Sequence, residues 1–230
     1  RGVAGINWRS SLMALKFLNA SGSGSVSGAV AALNYAVANG AVISNNSWGG
    51  GGFSSALDTA IRNARAAGHI FVAAAGNAGA NNNTTANYPA NYNYDNVVAV
   101  AAVDRSNNLA SFSNYGSTSV ELAAPGVAIL STTPNGTYST YDGTSMATPH
   151  VTGALALVRE LRPDWTYRQV IDRVLATVDP LTSLQGKTIT GGRLNVGRAV
   201  DGLGTPATDA TGPRVLSARK LGPSDSVMDG

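Results

Sequence analysis

Two short stretches of this 230-residue chain hold polar side chains in settings where charge could be managed. In Gly143-Thr144-Ser145-Met146-Ala147-Thr148-Pro149-His150, a hydroxyl stands where an extended Thr/Tyr-rich segment gives way to a helical pattern. A hydroxyl at a helix N-terminus lies beside free backbone donors and the positive end of the helix dipole, which stabilise developing negative charge. Gly143 lets another backbone come close just before it. Pro149 is expected in the first turn, where the N–H groups have no intrahelical partner to lose. Taken alone, such a serine is a helix cap. The second stretch, Ala73-Ala74-Ala75-Gly76-Asn77, ends an apolar run in an amide side chain. Taken alone, an Asn after Gly at a strand end is a turn residue.

Together the two stretches change the reading. The eight residues 143–150 resemble the nucleophile motif of subtilisin-like serine peptidases, the subtilases. Acyl transfer passes through a tetrahedral intermediate whose oxygen carries negative charge, and preorganised donors stabilise it. The resemblance makes Ser145 the nucleophile and Asn77 the oxyanion donor. It also makes Ser47-Trp48-Gly49 one substrate-binding edge and Gly22-Ser23-Gly24 the opposing edge. Such edges would clamp an extended peptide as an added strand, which implies a broadly tolerant endopeptidase. By the same resemblance Ala74, Ala75 and Gly76 wall the primary specificity pocket, and Trp48 forms an apolar subsite wall. Asn87-Tyr88-Pro89-Ala90 resembles a Gly-Tyr-Pro segment of the family, with Asn87 in place of the glycine at the pocket floor. That exchange is expected to narrow or polarise the pocket. Leu122-Ala123-Ala124-Pro125-Gly126 and Phe112-Ser113 are also family-like, and the resemblance covers residues 2–202.

The elements that must position these residues follow from periodicity. Residues 12–18 form an apolar run expected as a buried strand, followed by a loop at 21–25 and a helix over 26–39 that Gly40 stops. Residues 41–44 and 70–75 read as strands, with a helix from Ser54 or Ser55 to Gly68 between them. Residues 97–103 read as a further strand. Apolar runs without polar alternation belong to strands covered on both faces. Strand and helix alternating at this spacing predict an α/β fold with right-handed crossovers. Residues 128–130 and 137–141 are expected to pair as a hairpin. Ala147, Val151, Ala154, Leu155, Val158 and Leu161 mark the buried face of the Ser145 helix. Thr166 and Gln169 form a capping box for the next helix, whose stripe is Val170, Ile171, Val174, Leu175 and Val178. The resemblance specifies a mostly parallel sheet flanked by helices on both faces, a subtilisin-like three-layer fold truncated at its N-terminal end.

Composition bounds the rest. Apolar residues make up 43% and charged residues 13%, so a core is affordable and the surface is polar but lightly charged. A net charge of +3, with scattered Arg and Lys, does not imply a nucleic-acid partner. There is no tract of about 18 apolar residues to span a membrane. Cysteine is absent, which excludes thiol chemistry and disulfides. Residues 203–212 have linker composition, and residues 213–230 are expected to open a β-rich module of a longer, multidomain, monomeric chain. The family implies secretion and a polypeptide substrate.

A serine needs a base, and the base an orienting carboxylate. Subtilases provide these in the order Asp, His, Ser. Neither motif occurs here, and by resemblance both lie upstream of residue 1. His69 and His150 lie outside any such motif, and two isolated histidines do not make a zinc site. The expectation is an active peptidase whose Asp and His motifs precede this segment, the segment alone being inactive. The alternatives are a catalytically dead peptide-binding domain and an α/β-hydrolase esterase, which would want glycine at position 147. No cofactor is required for the chemistry. Calcium is implied only by the family, in the oxygen-rich loop 81–95.

Overall fold

The computed structural model describes residues 2–204 and the backbone of residues 215–220. The linker and module expected over 203–230 otherwise lie outside the described residues. In chain order the elements are β1 (Leu12–Lys16), α1 (Val26–Ala38), β2 (Ile43–Asn46), α2 (Ser55–Ala66), β3 (Ile70–Ala74), β4 (Val97–Val103) and β5 (Leu122–Pro125). Then come β6 (Ile129–Thr133), β7 (Thr137–Tyr141), α3 (Thr144–Leu161), α4 (Tyr167–Ala176), β8 (Asp179–Pro180), β9 (Gly192–Arg193), α5 (Val196–Val200) and β10 (Val215–Lys220).

Six strands form one sheet in the order β2-β3-β4-β5-β9-β8, parallel except for the β8–β9 pair. Every residue of β3 and β4 is buried, as their unbroken apolar runs require. Their side chains alternate between two cores. Ile70, Val72, Val98, Val100 and Ala102 pack with Val151, Leu155 and Val158 of α3 and with α4. Phe71, Ala73, Val97, Ala99 and Val103 pack on the other face with Leu57, Ile61 and Ala64 of α2 and Leu33 of α1. Helices therefore cover both faces of a mostly parallel sheet. Among the described residues no helix is long and apolar enough to cross a membrane.

Most helix boundaries follow local chemistry. Ser25 and Ser54 cap α1 and α2 through bonds to Gly28 N and Leu57 N, and Thr166 and Gln169 close the capping box of α4. The hairpin β6–β7 is antiparallel, with Ile129 facing Tyr141.

Three expectations are corrected. The second strand lies at residues 43–46 rather than 41–44, because Val42 is exposed and only its carbonyl takes part, accepting from Ile70 N. β1 is not buried: its residues alternate between exposed and half-buried, and Leu12 is 56% exposed. The cause is topological, since β1 stands outside the six-stranded sheet and pairs with β10. A cavity of about 760 Å³ separates it from β2, lined by Leu12, Met13 and Leu15, by Ile43 and Asn45, and by Ala32 of α1. Finally, Pro149 is the sixth residue of α3, past the first turn.

Candidate active site

Ser145 is the second residue of α3, directly after Gly143 at the N-cap and Thr144. The helix is anchored by its apolar face, on which Ala147, Val151, Ala154, Leu155 and Val158 are 0% exposed. Leu161, expected on that face, is half-buried at the helix end. Gly126 and Gly143 pack backbone to backbone, Gly143 N donating to Gly126 O at 2.8 Å. A Cβ on Gly126 would lie 2.7 Å from Gly143 O and 2.6 Å from Ala102 Cβ, so only glycine allows this approach.

Asn77 lies just past the end of β3 and faces solvent. Its Oδ1 accepts from Thr144 N at 2.9 Å and from Thr144 Oγ1 at 2.8 Å. Thr144 Oγ1 in turn accepts from Gly76 N at 3.2 Å. With Oδ1 engaged, the amide must direct Nδ2 elsewhere. A Cβ placed on Gly143 would stand 3.6 Å from Asn77 Nδ2 and 3.6 Å from Ser145 N. The empty side of Gly143 is thus flanked by two N–H donors, one from a side chain and one from a helix start.

Ser145 Oγ donates to Ser47 O at 3.3 Å, and Ser47 Oγ donates to Ser145 O at 2.8 Å. This reciprocal pair joins the residues after β2 to the start of α3. Trp48 follows, its ring edge-on to Phe17 at 5.2 Å between centroids. Gly24 packs on Phe17, where a Cβ would meet Phe17 O at 2.8 Å. Gly22 and Ser23 belong to an exposed turn organised by Asn19, whose Oδ1 accepts from Ser21 N and Ser23 N. The Gly22–Gly24 and Ser47–Gly49 segments are therefore linked through Phe17 and Trp48, beside Ser145.

Ala74 and Ala75 are buried in or after β3, and Gly76 follows with a φ of +115° that favours glycine. Asn87 Nδ2 donates to Ala75 O at 3.0 Å. Cβ atoms built on Gly49 and Gly76 would lie 3.4 and 2.8 Å from that same Nδ2. The Asn87 amide therefore stands between the Ser47–Gly49 and Ala74–Gly76 segments. The backbone that carries it is fixed, because Asn87 N donates to Asn91 Oδ1 at 2.8 Å and Asn91 N donates to Asn87 O at 2.9 Å.

Neither histidine meets Ser145. His69 is buried just before β3, at the end opposite Asn77, and its Nδ1 pairs with Ala41 O at 2.7 Å. Burial lowers its pKa below the ordinary value of 6.5, keeping it neutral. His150 Nδ1 pairs with Met146 O at 2.8 Å in its own helix. Among the described residues no group of three or more His, Asp or Glu gathers as a metal site. In the 81–95 loop, Asp95 pairs with Arg65 and Arg168 and accepts from Tyr167. Two Asn oxygens there are also engaged: Asn81 Oδ1 accepts from Asn83 N, and Asn83 Oδ1 accepts from Ser119 Oγ. These partners do not fit a hard cation as they stand.

Sequence reasoning overlooked three supports. Thr144 was visible only as part of a motif. Asn82 and Asn114, 2% and 3% exposed, brace the loop after β3. Asn82 Nδ2 donates to Ala75 O, Asn114 Nδ2 donates to Asn82 Oδ1, and Asn114 Oδ1 accepts from Ala78 N and Ala80 N. Nothing in an Asn-rich loop distinguishes such buried braces from exposed turn residues.

Comparison with known proteins places this geometry. The chain is 45% identical over 177 residues to subtilisin amylosacchariticus from Bacillus subtilis subsp. amylosacchariticus, covering 76% of this chain and 46% of that protein. It is also 45% identical over 183 residues to a subtilisin of Bacillus pumilus, covering 79% and 66%. Among solved structures, a cold adapted subtilisin-like serine proteinase superposes with a TM-score of 0.69 at 36% identity, covering 75% of this chain and 63% of that one. A protease from Pseudoalteromonas arctica superposes at 0.71 and 31% identity, covering 79% and 60%. The chain spans about half the length of the first of these relatives. The Subtilase family model matches residues 1–209, and the chain belongs to that family.

Proposed function

We propose that this chain carries the nucleophile, oxyanion site and peptide cleft of a serine endopeptidase. In this reading Ser145 Oγ attacks the scissile carbonyl carbon, forming the Oγ–C bond while the C=O pair moves onto oxygen and the hydroxyl proton passes to a general base supplied from outside the described residues. That oxygen enters the space beside Gly143, between Asn77 Nδ2 and Ser145 N. The observation that carries the reading is this empty, two-donor position next to a hydroxyl. Such donors stabilise the developing oxyanion by about 3–4 kcal/mol each. The Gly22–Gly24 and Ser47–Gly49 segments would hold the peptide backbone, and the proposed substrate is polypeptide outside the cell. Calcium in the 81–95 loop would have to displace existing bonds, and no step depends on it.

The base and its orienting carboxylate are proposed to come from chain preceding residue 1, within a monomeric multidomain protein. Two observations support this. Ser145 Oγ has only a backbone carbonyl as partner among the described residues. The cavity lies between β1 and β2 beside α1, and β2 is the end strand of the six-stranded sheet there, a setting that accepts an added strand. The test is covalent labelling of the intact protein by a fluorophosphonate. Label on Ser145, lost in Ser145→Ala, is expected. The same lone partner of Ser145 Oγ favours the second reading, a peptide-binding domain without turnover. A folded intact protein that takes no label would decide for it.

A further inference from the structure

Pro149 sits inside α3, and proline has no N–H to give the carbonyl four residues earlier. That carbonyl is Ser145 O, on the very residue read above as the nucleophile. An unpaired carbonyl at this place would be free to tilt and to turn the peptide plane that carries it. The structure supplies a substitute donor from elsewhere: Ser47 Oγ donates to Ser145 O at 2.8 Å. The contact crosses between the segment after β2 and the start of α3, so it fixes Ser145 against the sheet rather than only within its helix. Thr144 O, one residue earlier, accepts from Thr148 Oγ1 at 2.8 Å, so flanking carbonyls of this turn also have side-chain donors.

We infer that Ser47 is a positioning residue whose hydroxyl replaces the helical hydrogen bond deleted by Pro149 and thereby sets the orientation of Ser145. The inference rests on Ser145 being the nucleophile. It separates the two duties of Ser47: its backbone belongs to the proposed peptide edge, while its hydroxyl acts on α3. Replacing proline at 149 by alanine restores an N–H aimed at Ser145 O and makes the Ser47 hydroxyl redundant.

A double-mutant cycle on the intact protein tests this, with the second-order rate of fluorophosphonate labelling as readout. That probe leaves the peptide edge out of the measurement. Ser47→Ala is expected to slow labelling about tenfold, the effect of losing roughly one hydrogen bond's worth of alignment. In a Pro149→Ala background the same change is expected to cost less than about twofold. Ser47→Thr, which keeps the hydroxyl, is expected to label within about threefold of the parent and serves if Pro149→Ala does not fold. An equal loss in both backgrounds, or a Thr variant as slow as the Ala variant, overturns the inference. Absence of label in the unmutated protein would instead sink the nucleophile assignment, and this inference with it.

Discussion

Asn77 and Thr144 are joined by two hydrogen bonds to one oxygen, from the Thr144 backbone N–H at 2.9 Å and from its hydroxyl at 2.8 Å. The pair ties the end of β3 to the start of α3 and leaves the Asn77 amino group beside the space next to Gly143. Replacing Asn77 by Leu removes that donor at similar size. In the intact protein kcat is expected to fall about 10²–10³-fold with KM little changed, because the donor acts on charge that appears only in the transition state. Equal losses in kcat and substrate affinity would mean that Asn77 merely shapes the loop.

Gly143 offers an independent probe of the same space. Its Cβ position lies 3.6 Å from both proposed donors and 3.4 Å from Met146 Sδ, so a methyl group has room, but a φ of +154° strains any side chain there. Gly143→Ala is therefore expected to occupy the place of the oxyanion at a cost to folding. Its kcat should drop at least about tenfold, with a stability loss on the order of 1–3 kcal/mol. Unaltered kcat in a folded variant would show that the charge develops somewhere else.

How much of this was legible beforehand depended on range. β3 and β4 were readable because strands covered on both faces carry unbroken apolar runs, and the places of Asn77 after a strand and Ser145 at a helix start were readable from the strings around them. Long-range substitution of one donor for another was not. Pro149 looked harmless as a first-turn proline, and only the fold shows that its missing N–H belongs to the bond with Ser145 O. The exposure of β1 was likewise hidden, since Leu12, Met13, Leu15 and Phe17 look alike in sequence whether a strand has neighbours or not. Nor did sequence single out Asn82 and Asn114, whose buried amides bond backbone and each other.

Among the described residues no base stands beside Ser145, which has a direct consequence. Residues 1–230 expressed alone are expected to hydrolyse casein at no more than a residual rate, because among those residues Oγ meets only the Ser47 carbonyl. Appreciable turnover by this chain, abolished by Ser145→Ala, would refute the need for an outside imidazole.

Asn87 is proposed to shape the neighbouring slot. Its amide nitrogen lies against both glycine-lined segments and donates to Ala75 O, while its backbone is held by Asn91. A large side chain entering between Gly49 and Gly76 would have to displace it and break its part-buried hydrogen bond to Ala75 O. In the intact protein Asn87→Gly is expected to raise the ratio of kcat/KM for Phe over Ala, at the residue donating the scissile carbonyl, by about tenfold or more. An unchanged ratio would place that side chain outside the slot.

Glu121 opens β5's neighbourhood to a pH test that does not depend on catalysis. Its Oε2 accepts from Ala99 N, yet burial dominates and pushes the carboxyl from 4.5 up to about 7. A carboxyl whose folded value is raised favours the folded state while protonated. The contribution is thus complete below pH 4.5 and is lost as pH climbs toward 7. Glu121→Gln keeps an oxygen for Ala99 N and cannot ionise. Wild type and variant are expected to unfold alike in denaturant at pH 4, with the variant more stable at pH 8 by on the order of 2–3 kcal/mol. His69, kept neutral by burial, moves stability the other way below pH 6.5, but it is common to both proteins and cancels in the difference. A difference independent of pH would mean that Glu121 is ionised in the folded protein throughout this range.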